Sequence, residues 1–388
     1  MSPLPLLRLP LLPLQHIIKT WNIYEICQFA KVSKRTKNLV KLAIRKQVNI
    51  SLKKGESFLI HTSFKNDIRN TRGPETWRFV LKHVSERDNT ETYVYNENHV
   101  YHTLNLFSDN PLLLFLETLE FLFKVFNCFI HMVHWNGWKS EDMRQVIDWM
   151  NGNDKLTKIR NVHFNLNVNN QMTLSLFLET FQKKLGRLVV YSDVSDIIPV
   201  KFSMEIERFS YFGSARWVNL PILMSMNTCK RLDLGVSLLT SQDLKVLLRN
   251  WKEGKSNSIL EVLHVYVPDQ EDWKTVLNGL GAVVRHPTQV TRCYINNLWY
   301  YGGVDIHRVD GKIGTVMWTH YLGRNEHEKI PKNFIEEFEK TKQEWVGIDS
   351  DVVFEEKGNQ IQVSDKEKII KEYLPTQNCF NFSFVVWK

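Results

Sequence analysis

The side chains that could do chemistry in this chain are few, and their spacing does not bring them together. His99 and His102, and again His131 and His134, form His-x-x-His pairs of the type that can hold a metal. Both pairs fall in strand-like stretches. A three-residue step on a strand puts the two imidazoles on opposite faces, so they do not converge on one ion. Asn278-Gly-Leu-Gly281 has two glycines of a phosphate-cradling loop but lacks the third glycine and the acid of a dinucleotide site. No Walker lysine, G-x-S-x-G elbow or H-E-x-x-H occurs. The cysteines, Cys27, Cys128, Cys229, Cys293 and Cys379, are far apart and odd in number, with no CxxC pair. That argues against a disulfide framework or zinc module and for a reducing compartment, cytoplasmic or nuclear. Cys27 and Cys128 sit in apolar runs and are expected to be buried and inert. The paired acids Glu336/Glu337 and Asp349/Asp351 lie in a charged stretch and read as solvated. These residues point to no catalysis, no cofactor and no metal, which leaves recognition. The aromatic candidate for it is Trp299-Tyr300-Tyr301 beside Gly302-Gly303, a loop cluster able to anchor a partner. Core packing is the commoner use of such residues.

The elements that would position a recognition surface begin at the N-terminal end. Leu9-Pro10 opens a helix, since proline lacks an N–H and fixes φ. Leu14, Ile17, Ile18 and Trp21 then follow at spacings of three and four, one face of that helix. Asn22 caps a second helix carrying Ile23, Ile26, Cys27, Phe29 and Ala30. Ser33 caps a third with Leu39, Val40, Ala43 and Ile44. Three short helices cannot bury all of this apolar surface among themselves. Leu4, Leu6, Leu7, Leu9, Leu11 and Leu12 crowd the approach to the first helix, so a partner or the rest of the chain must cover part of that patch.

At 388 residues the chain has room for two or three domains and a sizeable core. Its net charge of +8 raises the question of nucleic acid. The cations concentrate between Lys31 and Lys54, with no interleaved aromatics and no groove-reading motif, which is simplest as a solvated face. Nucleic acid is therefore disfavoured. The apolar run from Pro111 to Trp135 is broken by Glu117, Glu120 and Lys124. These form one polar stripe, as on a half-buried helix followed by a strand, and not a membrane span.

Residues 49–64 read as a hairpin turning at Lys54-Gly55, and 65–110 as a joining layer with one strand-like stretch, TYVYNENHVYHTL. From Pro111 strands and helices alternate at roughly 20 to 35 residues, near the period of solenoid repeats. The pattern predicts helices over 112–125, from a Ser140 cap, over 173–185 with Gly186 at C′, near Trp217–Met226, and after a Thr240 cap. Strands fall between them, with apolar residues at alternate places. The fold class is α/β: three N-terminal helices, then an irregular leucine-rich-repeat-like stack or a plain α/β sheet. Asp310-Gly311 marks a C-terminal hairpin. Residues 326–372 read as charged surface helices with Pro331 at N1, and 379–388 as a strand able to extend a sheet edge.

The stretch LRLPLLPLQHIIKTWNIYEICQFAKVSKRTKNLVK resembles the F-box, the three-helix module that docks on the Skp-type adaptor of cullin–RING ubiquitin ligases. The Leu-Pro opening, the apolar helix and the V-S-K-R-T-K start of the third helix carry the resemblance. CKRLDLGVSLLTSQDLKVLLRNWKEGKSNSILEVLHV resembles the core of a type-2 F-box-associated domain, through T-S-Q-D-L, Trp251-x-x-Gly254 and the L-x-x-L strand. GVDIHRVDGKIGTVMW resembles that family's C-terminal hairpin. In this order the three stretches are similar to the nematode F-box proteins with a type-2 F-box-associated domain. Ile23 stands where many relatives have proline, and Trp21 is bulkier than their usual Met or Leu. The chain divides accordingly into an F-box at 4–46, a joining layer at 47–110, an F-box-associated α/β domain at 111–320 and a charged helical segment at 321–388. The resemblance implies docking on a Skp-type adaptor, and through it on cullin, by Leu9, Pro10, Leu14, Ile17 and Ile18. The body would hold an unknown substrate protein, with Trp299, Tyr300 and Tyr301 as candidate contacts, while other subunits perform the chemistry. Two readings of other classes stay open. One is a basic nucleic-acid-associated protein. The other is a structural scaffold whose head packs internally.

Overall fold

The computed structural model describes residues 6–64, 76–86, 94–96, 99–167, 172–192, 204–267, 272–288, 290–293, 299–317, 322–323, 330–345, 353–355, 363–364 and 380–387. The chain forms two compact units, residues 1–189 with 199–205, and residues 190–198 with 206–388.

The first unit starts with three ten-residue helices, α1 (Leu11–Thr20), α2 (Ile23–Val32) and α3 (Lys34–Ala43). Local chemistry sets their limits. The Asn22 side chain accepts from Glu25 N, while the Glu25 carboxylate accepts from Asn22 N, both at 2.9 Å. Ser33 and Thr36 repeat this reciprocal cap on α3. Next come β1 (Gln47–Lys54), β2 (Phe58–Phe64), β3 (Thr76–His83), β4 (Val94–Asn96) and β5 (His99–Ser108). They lead to α4 (Pro111–Val125), β6 (Asn127–His134), α5 (Ser140–Gly152), β7 (Lys158–Leu166), α6 (Met172–Thr180) and β8 (Lys184–Ser192). The strands lie in the order β8-β7-β6-β1-β2-β3-β5-β4. The expected hairpin is β1–β2, antiparallel, and β6 runs parallel to β1 and β7. Alternate residues Val48, Ile50 and Leu52 are buried in the core with Phe58 and Ile60 of β2, and Phe58 meets Phe115 of α4.

The second unit holds β9 (Ile206–Ser214), α7 (Leu220–Ser225), β10 (Arg231–Val236), α8 (Ser241–Lys252), β11 (Val262–Val267), α9 (Trp273–Leu277) and β12 (Val283–Arg285). It continues with β13 (Thr291–Cys293), β14 (Trp299–Tyr301), β15 (Gly303–His307), β16 (Ile313–Met317), β17 (Leu322–Gly323) and β18 (Ile330–Pro331). The last described elements are α10 (Lys332–Trp345), β19 (Val353–Glu355), β20 (Val363–Ser364) and β21 (Phe380–Trp387). Its main sheet runs β19-β12-β15-β16-β21-β11-β10-β9, beside the small sheets β13-β14-β17 and β18-β20. Thr240 and Asp243 cap α8 reciprocally, and β15 and β16 form the expected hairpin, with Gly311 at φ +87° in its turn.

In both units the helix-linked strands lie beside each other in chain order, as in a stack of strand–helix repeats. Polar ties join equivalent points of successive repeats. Asn151 Nδ2 donates to Thr180 O, Asn161 Nδ2 to His131 O, Asn165 N to Asn136 Oδ1 and Lys183 Nζ to Asn153 O, each pair 29 or 30 residues apart. In the second unit Asn257 N donates to Asn227 Oδ1, 30 residues away. The repeat is thus more regular than its sequence, with asparagine links that occupy no fixed strand position.

Four local expectations change. α6 ends at Thr180, and Gly186 lies inside β8 instead of at a helix C′ position. A Cβ on Gly186 would stand 2.6 Å from Arg160 O, so glycine here permits close approach to β7. Ser140 is the first residue of α5; Lys139 takes the cap position without a side-chain bond. The C-terminal part is not purely helical: it contains α10 and short strands, and Pro331 closes β18 just before α10. Asp349, Asp351 and residues 365–374 lie outside the described residues. Finally, β21 extends no edge. It is antiparallel to both β11 and β16, and Phe382, Phe384 and Val385 are almost fully buried. Such an apolar strand belongs inside a sheet, where both rows of backbone groups are paired.

Candidate functional site

The head is built by its caps and by what lies under it. Pro10 occupies the N-cap of α1 and offers no side-chain cap, and the turn Leu6–Arg8 ahead of it is tied down by Arg35, whose guanidinium donates to Leu7 O at 3.3 Å. α1 and α2 pack on α3, and α2 and α3 pack on α4. The Lys31 and Lys37 ammonium groups lie 5.3 and 6.0 Å from the Phe121 ring of α4, and Tyr24 stacks on Trp77 of β3, which stacks on His102 of β5. The head is therefore an integral layer of the first unit.

This packing divides the five expected adaptor contacts. Leu14 and Ile18 are in the core. Leu9 and Ile17 are half-buried, and Pro10 is exposed. The surface around them gains Leu11 and Leu12, exposed at 47% and 69%, with Pro13. Helical periodicity could have picked out Leu12: it stands two positions before Leu14, so it points to the far side of the helix. The result is a run of apolar side chains, Leu9 to Pro13, with a buried stripe behind it to hold α1 in place. Such a surface can be covered by a protein partner; it carries no group for bond-making chemistry.

Trp299, Tyr300 and Tyr301 form strand β14 and not a loop. Tyr300 packs with Met317 and Val385, and Tyr301 with Ile330 and Phe334, so only Trp299 keeps appreciable exposed surface. Beside them lies a charged knot that the sequence did not flag. Asp305 is fully buried, and its carboxylate accepts from Arg285 Nε at 2.8 Å, from both terminal nitrogens of Arg292 at 2.6 and 2.7 Å, and from the Thr315 hydroxyl at 2.6 Å. Burial pushes the Asp305 carboxyl up, but Arg292, Thr315 and Arg285 outweigh it and hold it below the usual carboxylate range. Trp387 Nε1 donates to the same Thr315 oxygen, and Arg292 lies over the Trp387 ring. The knot joins β12, β13, β15, β16 and β21.

The remaining chemistry-bearing residues are dispersed. Burial lifts the Cys27 and Cys128 thiols to about 12. His102 is taken up by its stack on Trp77, and the side chain of His99 lies outside the described residues. His134 faces His163 on the neighbouring strand, with ring centres 5.1 Å apart. In the loop after α9, Leu280 is buried and its carbonyl accepts from Lys252 Nζ at 2.7 Å. Glu336 pairs with Lys332 one helical turn away. A cavity of about 810 Å³ behind the head is walled by Lys19, Trp21, Arg45 and Lys46 from the head side and by Phe64, Trp77 and His102 from the sheet. Among the described residues no helix is long and apolar enough to cross a membrane, and no three His, Cys, Asp or Glu side chains gather as metal ligands.

Comparison with known families places names on two of these segments. A family model described as F-box domain matches residues 6–47, the span of α1, α2 and α3. A second, described as F-box associated, matches residues 199–265, which holds β9, α7, β10, α8 and most of β11. No curated protein and no solved structure matches the chain.

Proposed function

We propose that this chain, with its F-box domain followed by an F-box-associated domain, is a target-recognition subunit of an SCF-type (cullin–RING) ubiquitin ligase acting in the cytoplasm or nucleus. Its head docks on a Skp-type adaptor and through it on cullin. Its α/β body holds a target protein, and other subunits transfer ubiquitin. The chain itself is non-catalytic: its contribution is positioning, which raises the effective concentration of the target at the ligase. The pairing of the two matched domains in one chain is the observation that carries this reading. The contact is assigned to Leu9, Pro10 and Ile17 together with Leu11 and Leu12. Leu14 and Ile18 act indirectly, by fixing α1 against α3.

The test is co-purification of the full chain with a Skp-type adaptor, beside Leu9→Asp/Leu12→Asp. An aspartate at these positions leaves the core alone but would bury a carboxylate in an apolar contact, so binding should weaken by at least about tenfold. Equal binding by both chains would remove the contact assignment. No binding by either, with both folded, would favour the scaffold reading, which the packing of the head on α4 also supports.

A further inference from the structure

The strands of the first unit share a property that neither matched domain explains. None of β1 to β8 contains an aspartate or glutamate. The acids of this unit's regular elements are in its helices, such as Glu117, Glu120, Asp142 and Glu179. In the second unit the strands do carry acids, for example Glu207, Asp233 and Asp305. One face of the first unit's sheet is packed under α4 and its neighbours, so the opposite face collects the strands' polar side chains. By register, Asn49, Ser51 and Lys53 of β1 lie beside His61 and Ser63 of β2, and His61 stands opposite Arg78 of β3. On the other side Met132 and His134 of β6 stand opposite Asn161 and His163 of β7.

Lys53 is the hub of this face. Its charge acts on His61, His134 and His163; Arg78 acts on His61, and Arg187 of β8 on His163. Three charged side chains, Lys53, Arg78 and Arg187, thus form one field around histidines whose protons are weakly held, from β8 to β3 across five strand spacings of ~4.8 Å, or roughly 24 Å. About seven residues of extended chain cover that span.

We propose that this cationic sheet face is a docking surface for an acidic protein segment, whose carboxylates meet Lys53, Arg78 and Arg187 and whose backbone is met by Asn49, Asn161 and Ser51. Charge complementarity selects the occupant. A single-stranded nucleic acid fits less well. Phe129 of β6 and Phe107 of β5 stand four strand spacings apart, roughly 19 Å, too far to stack successive bases, and the exposed Tyr191 of β8 is already stacked on Phe212. This names a target class for the body proposed above but does not depend on adaptor docking.

The test uses the full chain without any adaptor. A fluorescent peptide of alternating Glu and Ser and a fluorescent oligouridine are titrated by anisotropy at several salt concentrations. The peptide should bind, and weaken as salt rises. Lys53→Glu/Arg187→Glu should weaken it at least tenfold, and the milder Lys53→Gln/Arg187→Gln by a smaller factor. Lys230→Glu/Lys274→Glu, an equal charge change on exposed residues of the second unit, should leave it unchanged. Circular dichroism and the thermal midpoint confirm that each variant is folded. Equal loss in the face and control variants would overturn the proposal, because the attraction would then be net charge alone. Tighter binding of oligouridine than of peptide, or binding of neither, would overturn it too.

Discussion

Asp305 keeps its charge without any contact with water because four donor groups surround it. Removing that charge would take the shared carboxylate away from two guanidinium groups. Asp305→Asn should therefore destabilise the second unit by about 3 kcal/mol, the low end for a broken buried pair, since both arginines retain some solvent contact. A denaturant midpoint measures this; an unchanged midpoint would mean that the knot is neutral to folding. Little at this scale was legible beforehand. Arg285 and Arg292 lie 20 and 13 residues from Asp305, and no local pattern connects them. The same holds for Tyr300 and Tyr301. Their glycine neighbours suggested a loop, with core packing the commoner use of such rings, but Met317, Val385, Ile330 and Phe334, which bury them, arrive from later in the chain. For the expected adaptor contacts, the spacing identified α1 as a helix. Spacing could also have set Leu12 on the side opposite Leu14, but leucine and isoleucine on both sides do not say which one α3 covers.

At the scale of elements, sequence and structure agree where the deciding atoms lie within a few residues. Asn22, Ser33 and Thr240 were all readable as caps, because a capping box spans only three residues. The Asp310-Gly311 turn was readable for the same reason. The end of α6 was not. Its last carbonyl is taken by Asn151 Nδ2 at 2.9 Å, and the following Gln182 N is satisfied by Asn151 Oδ1 at 3.0 Å. A cap from the previous repeat stops the helix at Thr180 and frees Lys184 onward to become β8. Gly186 then matters as a spacer. Gly186→Ala should force β7 and β8 apart and cost about 2 kcal/mol, whereas Gly55→Ala, with open space around its Cβ, should be near neutral. Thermal midpoints of the two variants, side by side, check this. Equal midpoints would mean that the strands accommodate the methyl group.

At the scale of the whole molecule, the α/β class, the three helices ahead of it and the repeat rhythm were legible, since hydrophobic period survives irregular spacing. The order of strands in each sheet was not, above all the place of β21. Charge acts at this scale as well. Burial, with the neighbouring cations Arg78 and Lys53, pushes His61 down to about 4; burial, Lys53 and His163 do the same to His134. Burial likewise lowers His131 and His163. Each of these groups binds its proton more weakly when folded than when unfolded, where it titrates near 6.5. Their contribution is complete above about pH 6.5 and is lost as pH falls toward 4. Stability should therefore drop between pH 6.5 and 5, by roughly 1 kcal/mol each for His61 and His134, with His131 and His163 acting in the same direction. A midpoint that stays flat across that window would contradict the burial of these rings.

The position of β21 also sets a schedule for biosynthesis. β11 and β16 are the two strands that it joins. Both are complete on the ribosome about sixty residues before Phe380–Trp387 is made. At translation rates of ~5–20 residues per second, this leaves two open apolar strand edges for roughly 3 to 12 seconds. Such edges pair readily with other chains. The nascent protein is therefore most open to wrong edge pairing late in its own synthesis. A message cut short after the codon for Met317 would give a product with β11 and β16 still unjoined, suited to aggregation or disposal.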